Sequence, residues 1–160
     1  MTASVDLPAD AATVYGVLTS AAWPGVLDAQ LHDGSTLLQA DPTPDGGLQL
    51  RTSRRLPEGV PGFLQRFTPP DGTVVQTDTW QAPLGDARAG SWSVTFPGSP
   101  AVLEGRTTVE PAAGGCRWTV SGTVTVRVPL LGGRIEGFVA PLLEKLVLRQ
   151  GEVLRTQLPG

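Results

Sequence analysis

The residue types that most often perform chemistry are few in this sequence. The chain has one histidine, His32, and one cysteine, Cys116. Metal sites and nucleophilic triads need several such groups together, so neither chemistry is indicated. His32 lies beside Asp33 in a predicted turn, which favours a solvated loop residue over a general base. Cys116 begins a predicted strand on its apolar face and is expected to be buried. We therefore predict no catalytic residue, metal or cofactor.

Two charged residues, Arg54 and Asp78, lie an even number of residues from apolar neighbours on predicted strands. Arg54 shares the parity of Leu48 and Leu50. Asp78 shares the parity of Trp80 in the same way. Alternate strand residues point to one face, so both charges are candidates to face the interior and orient a ligand's carboxylate or hydroxyl. The alternatives are that both strands reach the surface there, or that the two residues form only a structural ion pair.

Aromatic residues form a second group of candidate ligand contacts. Those on predicted strands are Trp80, Trp92, Phe96 and Trp118, and Phe138 with Leu142 lies on a predicted helix. Large rings of this kind line a ligand cavity or fill an ordinary core, and both interpretations stay open. The connection at residues 60–67 carries Phe63 and Phe67. It is predicted to be either a lid over a cavity mouth or a packed surface loop.

Composition limits the classes of protein that these residues can serve. The chain has 160 residues, of which 40% are hydrophobic, and a net charge of -3. This suits one domain with a substantial core, whereas the acidic balance argues against nucleic-acid binding. No signal peptide or run of ~20 apolar residues is present, which predicts a cytoplasmic protein without integral membrane association. These features do not indicate an oligomeric state.

Alternating residues and turn signals predict mainly strands in the middle of the chain. Residues 116–128 alternate between apolar and polar side chains, and residues 48–55 and 91–96 do the same. Residues 73–81 and 101–110 are rich in β-formers, and residues 3–7 form a short first strand. Apart from these strands, Asp10 can cap one helix and Pro24 can begin another.

A long amphipathic helix is predicted at residues 131–158, where apolar residues recur at three- and four-residue spacing. Pro141 is expected to bend it. The predicted order is therefore one strand, two short helices, six strands and one long helix. This is an α+β fold in which the helix covers the inner face of a meander.

Several stretches carry a family resemblance along the whole chain. Residues 5–19, VDLPADAATVYGVLT, resemble the first strand and helix of the START-like, helix-grip superfamily (SRPBCC), typified by the birch pollen allergen. Residues 55–57, Trp80, residues 98–100 and residues 128–136 resemble an actinobacterial family of unknown function within it. The resemblance implies a single domain over residues 1–160. Its fold would be a seven-stranded curved antiparallel sheet gripping the C-terminal helix around a cavity.

The leading functional interpretation is binding or carriage of a small hydrophobic molecule, such as a lipid or polyketide, in that cavity. One alternative is an enzyme of the cyclase or aromatase type, in which Arg54, Asp78 or Tyr15 acts as acid or base. Another is a protein-interaction module with a filled core. The resemblance transfers no catalytic residue, because a shared fold does not carry an activity with it.

Overall fold

The computed structural model describes residues 1–56, 71–96, 101–126 and 132–159. Its elements follow the predicted order. They are β1 (Thr2–Leu7), α1 (Ala11–Leu18), α2 (Trp23–Leu31), β2 (Thr36–Pro42), β3 (Leu48–Arg55), β4 (Thr73–Trp80), β5 (Arg88–Thr95), β6 (Ala101–Ala112), β7 (Gly115–Val126) and α3 (Gly132–Thr156). The predicted fold class is confirmed, with α1 and α2 between the first two strands.

The seven strands form one curved antiparallel sheet in the order β1-β7-β6-β5-β4-β3-β2. The longest pairing joins β6 to β7, from Ala101 opposite Val126 to Ala112 opposite Gly115. The inner face of the sheet is mostly apolar, and α3 packs against it at β1 and β7. Helix α1 packs on β5, β6 and β7, and α2 packs on β2 and on α3, so the three helices share the inner side of the sheet.

Local signals explain both short helices. The Asp10 carboxylate caps α1 by accepting a 2.7 Å hydrogen bond from the Thr13 amide. Helix α2 begins at Trp23, with Pro24 in its first turn, and ends at Leu31. His32 follows it as the C-cap, in a left-handed conformation with φ 54°. Pro141 lies inside α3, where the bend stays a prediction, and Leu158 lies just beyond the end of that helix.

Candidate functional site

A cavity of about 330 Å³ lies between the inner face of the sheet and α3. Most of its lining is apolar and includes Val74, Val94, Leu103, Val120, Val124, Ile135, Leu143 and Val147. Protein interiors usually pack without voids much larger than a water molecule. A cavity of this size lies at the lower end of the range of about 300–1,000 Å³ that is typical of small-molecule pockets.

The structure brings all the predicted cavity residues together except Trp80. Those that line the cavity are Arg54, Asp78, Trp92, Phe96, Trp118, Phe138 and Leu142. Phe138 is 39% exposed and Leu142 is 36% exposed, although both line the cavity. The cavity wall therefore reaches the protein surface along this part of α3.

Trp80 faces inward as its parity predicts, but it lies outside the main cavity. Its ring packs edge-on against Tyr15 of α1, with 5.2 Å between ring centroids, and Trp80 is buried. Trp80 is the last residue of β4, where α1 covers the end of the sheet. Tyr15 itself lies beneath the guanidinium of Arg88, at 5.5 Å from the ring centroid. Trp80 instead lines a smaller neighbouring cavity that also contains Arg54 and Asp78 in its wall. Tyr15 lines neither this cavity nor the main one, so it is not placed to act as an acid or base there.

The two tryptophans of the cavity have their polar groups satisfied by the sheet. Trp92 Nε1 donates to the carbonyl oxygen of Ser121 at 3.1 Å, across β6. The indole reaches that far because Gly122 has no side chain, and a Cβ there would collide with the Trp92 ring. Trp118 Nε1 donates to Thr107 Oγ1 at 3.0 Å. With both N–H groups engaged, the rings contribute mainly apolar surface to the cavity.

Polar side chains gather at one end of the cavity, on β3 and β4. Gln76 Nε2 donates to both carboxylate oxygens of Asp78, at 2.9 and 3.0 Å. Arg54 is half-buried overall, but its Nε is buried and has no hydrogen-bond partner among the described residues. Arg54 and Asp78 both line the cavity and neither is exposed, which favours an inward orientation over the alternative in which their strands reach the surface at these positions.

Strand register explains why Arg54 and Asp78 do not form a direct ion pair. Arg54 lies opposite Val74, whereas Asp78 lies opposite Leu50, four residues further along β4. At ~3.3 Å per residue this offset is about 13 Å along the strands. Gln76 lies between them on the same face. In the described part of the chain, the side-chain ion pair joins Arg117 to Asp6 instead, on the exposed side.

Burial disfavours the charged forms of both Arg54 and Asp78 at this end of the cavity. It lowers the pKa of Arg54, an effect that the carboxylates of Asp78 and Asp33 partly offset. Burial also raises the pKa of Asp78, against the stabilising hydrogen bonds from Gln76 and the charge of Arg54. An arginine remains protonated at neutral pH even so. The cavity therefore combines a buried cation with a carboxyl group that holds its proton more tightly than usual.

The raised pKa of Asp78 predicts how the stability of an Asp78→Asn variant depends on pH. The folded state binds the proton more tightly, so the wild type loses stability as pH rises above the unfolded value of 3.8. The neutral asparagine avoids this loss. Urea denaturation at about pH 3 and about pH 7 should show the variant gaining stability relative to wild type at the higher pH.

Asp6 provides a control of opposite sign. The hydrogen bond from Arg117 lowers the pKa of Asp6, so its contribution to stability is present above the unfolded pKa and fades as pH falls. An Asp6→Asn variant should therefore lose stability relative to wild type on going from about pH 3 to about pH 7. If both variants change in the same direction, burial does not govern the titration of Asp78.

The sequence interpretation missed two polar residues of the cavity. Gln76 has the same parity as Asp78, and Gln150 lies on the α3 stripe that includes Val147 and Leu154. Gln150 is buried. Both also border a smaller cavity of about 60 Å³ beneath α2, which shares Arg54 with the main cavity. The parity of Gln76 and the helical spacing of Gln150 were the signals that could have identified them.

The other candidate residues lie away from the cavity or outside the described residues. His32 is exposed at the end of α2. Cys116 is buried, and desolvation raises the pKa of its thiol. Phe63 and Phe67, the predicted lid residues, lie outside the described residues. Among residues that the structure does describe, no three metal-ligating side chains cluster, and no helix is long and apolar enough to cross a membrane.

Comparison with known sequences supports the narrower resemblance. The profile of a family described as protein of unknown function (DUF2505) matches residues 2–158. Uncharacterized proteins of Mycobacterium tuberculosis and Mycobacterium bovis are 28% identical over 110 residues. The match spans 64% of this chain and 61% of the length of each relative.

Comparison with solved structures confirms the fold. A START superfamily protein from Mycobacterium smegmatis superimposes with a TM-score of 0.58 at 15% identity, covering 98% of this chain and 94% of the other. Norcoclaurine synthase from Thalictrum flavum, solved with dopamine and hydroxybenzaldehyde, gives 0.59 at 13% identity, covering 98% and 84%. A Thermus thermophilus protein gives 0.59 at 16%, covering 98% and 94%. The chain thus has the START-like, helix-grip fold.

Proposed function

Because the chain belongs to the DUF2505 family of proteins of unknown function and has the START-like fold, we propose that it binds or carries a small hydrophobic molecule. The observation that carries the proposal is the cavity of about 330 Å³ between the sheet and α3. Its lining is mostly apolar. Its polar residues that are not exposed are Arg54, Gln76, Asp78 and Gln150, whereas the charged residues Arg55, Lys145 and Arg149 line it from exposed positions. A pocket of that composition suits a ligand with an apolar body and a few polar atoms.

A structural neighbour supports this use of the fold. Norcoclaurine synthase was solved with dopamine and hydroxybenzaldehyde, which are small aromatic molecules. The rings of Trp92 and Trp118 give the present cavity flat apolar surfaces as well. The cavity volume also favours a binding protein over an interaction module with a filled core, because a filled interior leaves no space for a ligand.

Catalysis of the cyclase type is the second candidate function, and one observation favours it. Asp78 lines the cavity with a raised pKa, so its carboxyl group is better suited to donate a proton than an ordinary aspartate. An enzyme would return a chemically changed ligand, and Asp78→Asn would abolish that change. Mass spectrometry of ligands recovered from the protein distinguishes the two functions, since a carrier returns them unaltered.

The binding proposal is tested by titrating the protein with neutral hydrophobic molecules, decanol and naphthol. Trp92 and Trp118 line the cavity, so a bound molecule should change the tryptophan emission in a saturable way. Binding should also raise the melting temperature, because a ligand at about 100 times its Kd stabilises the folded state by about 2.7 kcal/mol. Absence of saturable binding and of any thermal shift with both molecules would contradict the proposal.

A further inference from the structure

The arginine inside the cavity lacks the partner that a buried guanidinium requires. Arg54 Nε is buried without a hydrogen-bond partner among the described residues. Neither neighbouring carboxylate accepts a hydrogen bond from this guanidinium in the part of the chain that the structure describes. Asp78 accepts from Gln76, and Asp33, whose charge also acts on Arg54, accepts from the Ser35 amide. Burying a charge without hydrogen bonds is costly, so a group that fills this position should bind favourably. The missing partner must be a hydrogen-bond acceptor, since every guanidinium nitrogen is a donor.

Other cations line the cavity, but they are exposed. They are Arg55 on β3 and both Lys145 and Arg149 on α3. Water screens charges at such positions, so they discriminate weakly between acidic and neutral ligands. The apolar part of the α3 wall, with Phe138, also reaches the surface. The desolvated cation is therefore Arg54 on β3, and the apolar part of the cavity wall that reaches the surface belongs to α3.

We propose that Arg54 binds the carboxylate of an amphiphilic acid, whose apolar body extends along the cavity towards α3. The inference rests on the proposed binding function and names the class of ligand for the same cavity. The planar guanidinium fork matches the two oxygens of a carboxylate. The cavity volume, about 330 Å³, suits a single short amphiphile rather than a large lipid.

A carboxylate fits this position better than a phosphate monoester does. One carboxylate and one guanidinium leave no net charge between them. A phosphate monoester carries a charge of about -1.5 to -2 at neutral pH, so it would leave excess negative charge buried beside Asp78. Uncompensated charge in an apolar interior is strongly unfavourable. Decyl phosphate is therefore expected to bind more weakly than decanoic acid.

The test compares decanoic acid with decanol, which share an alkyl chain, by isothermal titration calorimetry at neutral pH. The wild type should bind decanoic acid at least as tightly as decanol. Arg54→Leu should weaken binding of the acid by about 10- to 100-fold, the range for loss of a hydrogen bond to a charged group. Binding of decanol should change by less than about threefold, because leucine suits an apolar wall.

Arg51→Leu is the matched control. Arg51 lies on the same strand but is exposed, and it does not line the cavity. This variant removes the same charge and should keep the acid preference of the wild type. Arg54→Met, which retains a long apolar stem, replaces Arg54→Leu if the leucine variant does not fold, and the same loss is expected. Decyl phosphate is titrated in parallel.

Distinct outcomes separate failure of this inference from failure of the proposed function. If neither decanol nor decanoic acid binds the wild type, the proposed function fails. If decanol binds to the wild type but Arg54→Leu weakens the binding of decanol and decanoic acid equally, Arg54 does not recognise the acid. A double variant, Lys145→Gln with Arg149→Gln, is measured as well. If it loses the preference for decanoic acid over decanol while Arg54→Leu keeps that preference, the acid binds at the surface. Tighter binding of decyl phosphate than of decanoic acid would overturn the choice of a carboxylate.

Discussion

Replacing Val94 by phenylalanine is expected to weaken binding of decanol by roughly 30- to 100-fold without unfolding the protein. Val94 lies on β5 in the wall of the main cavity, opposite Leu103 of β6. The larger ring would occupy space that about three methylene groups of a bound chain need, at ~0.8 kcal/mol for each buried methylene. The ring enters an existing void, so the melting temperature should stay level or rise. Calorimetric titration and thermal denaturation measure the two effects.

The same substitution at a filled position is the control. Val109 on β6 has no exposed surface and does not line the main cavity. Val109→Phe should destabilise the fold by about 1–3 kcal/mol, as is usual when extra atoms enter a packed core. Equal destabilisation by Val94→Phe and Val109→Phe would show that the interior beside Val94 is filled. A Val94→Phe variant that binds decanol normally would place the ligand elsewhere.

Most of the fold could be predicted from the sequence because the buried elements repeat a regular pattern. Strand β7 alternates between apolar and polar residues, and α3 carries apolar residues at helical spacing, since each covers the core with one face. Strand β2 has no such pattern, and the sequence does not indicate where it begins or ends. It is an edge strand whose residues are almost all exposed, with an irregular register between Leu37 and Gln39. An edge strand that buries little leaves little periodicity to detect.

The site could be predicted only in part, because parity gives the face of a residue but not its position along the sheet. Arg54, Asp78 and Trp80 all face inward as their parity indicates. Their different surroundings depend on cross-strand register and on where α1 covers the sheet. Gln76 lies between Arg54 and Asp78, so the structural ion pair considered from the sequence does not form as a direct contact. Register depends on contacts distant in sequence, which local patterns do not encode.

The second large effect is expected where α3 packs closely on β1 at a glycine. Gly151 packs directly on Val5 of β1, and a Cβ at Gly151 would lie 2.6 and 2.8 Å from the two Val5 methyl groups. A leucine there must push the helix away from β1 or displace Val5 within the core. We expect Gly151→Leu to destabilise the protein by about 3 kcal/mol, the upper part of the range for overpacking. For a chain of this size this corresponds to a fall in melting temperature of about 6–12 °C.

Gly137 of the same helix provides the matched comparison for Gly151. It is exposed, and a Cβ there would meet no atom within 4 Å. Because glycine is a poor helix former, Gly137→Ala should stabilise the protein by about 0.5–1 kcal/mol. Gly151→Ala brings the same gain in helix propensity, but its Cβ would collide with Val5. It should therefore be the less stable of the two alanine variants. If the two alanine variants are equally stable, close packing at Gly151 does not determine how α3 sits on the sheet and bounds the cavity.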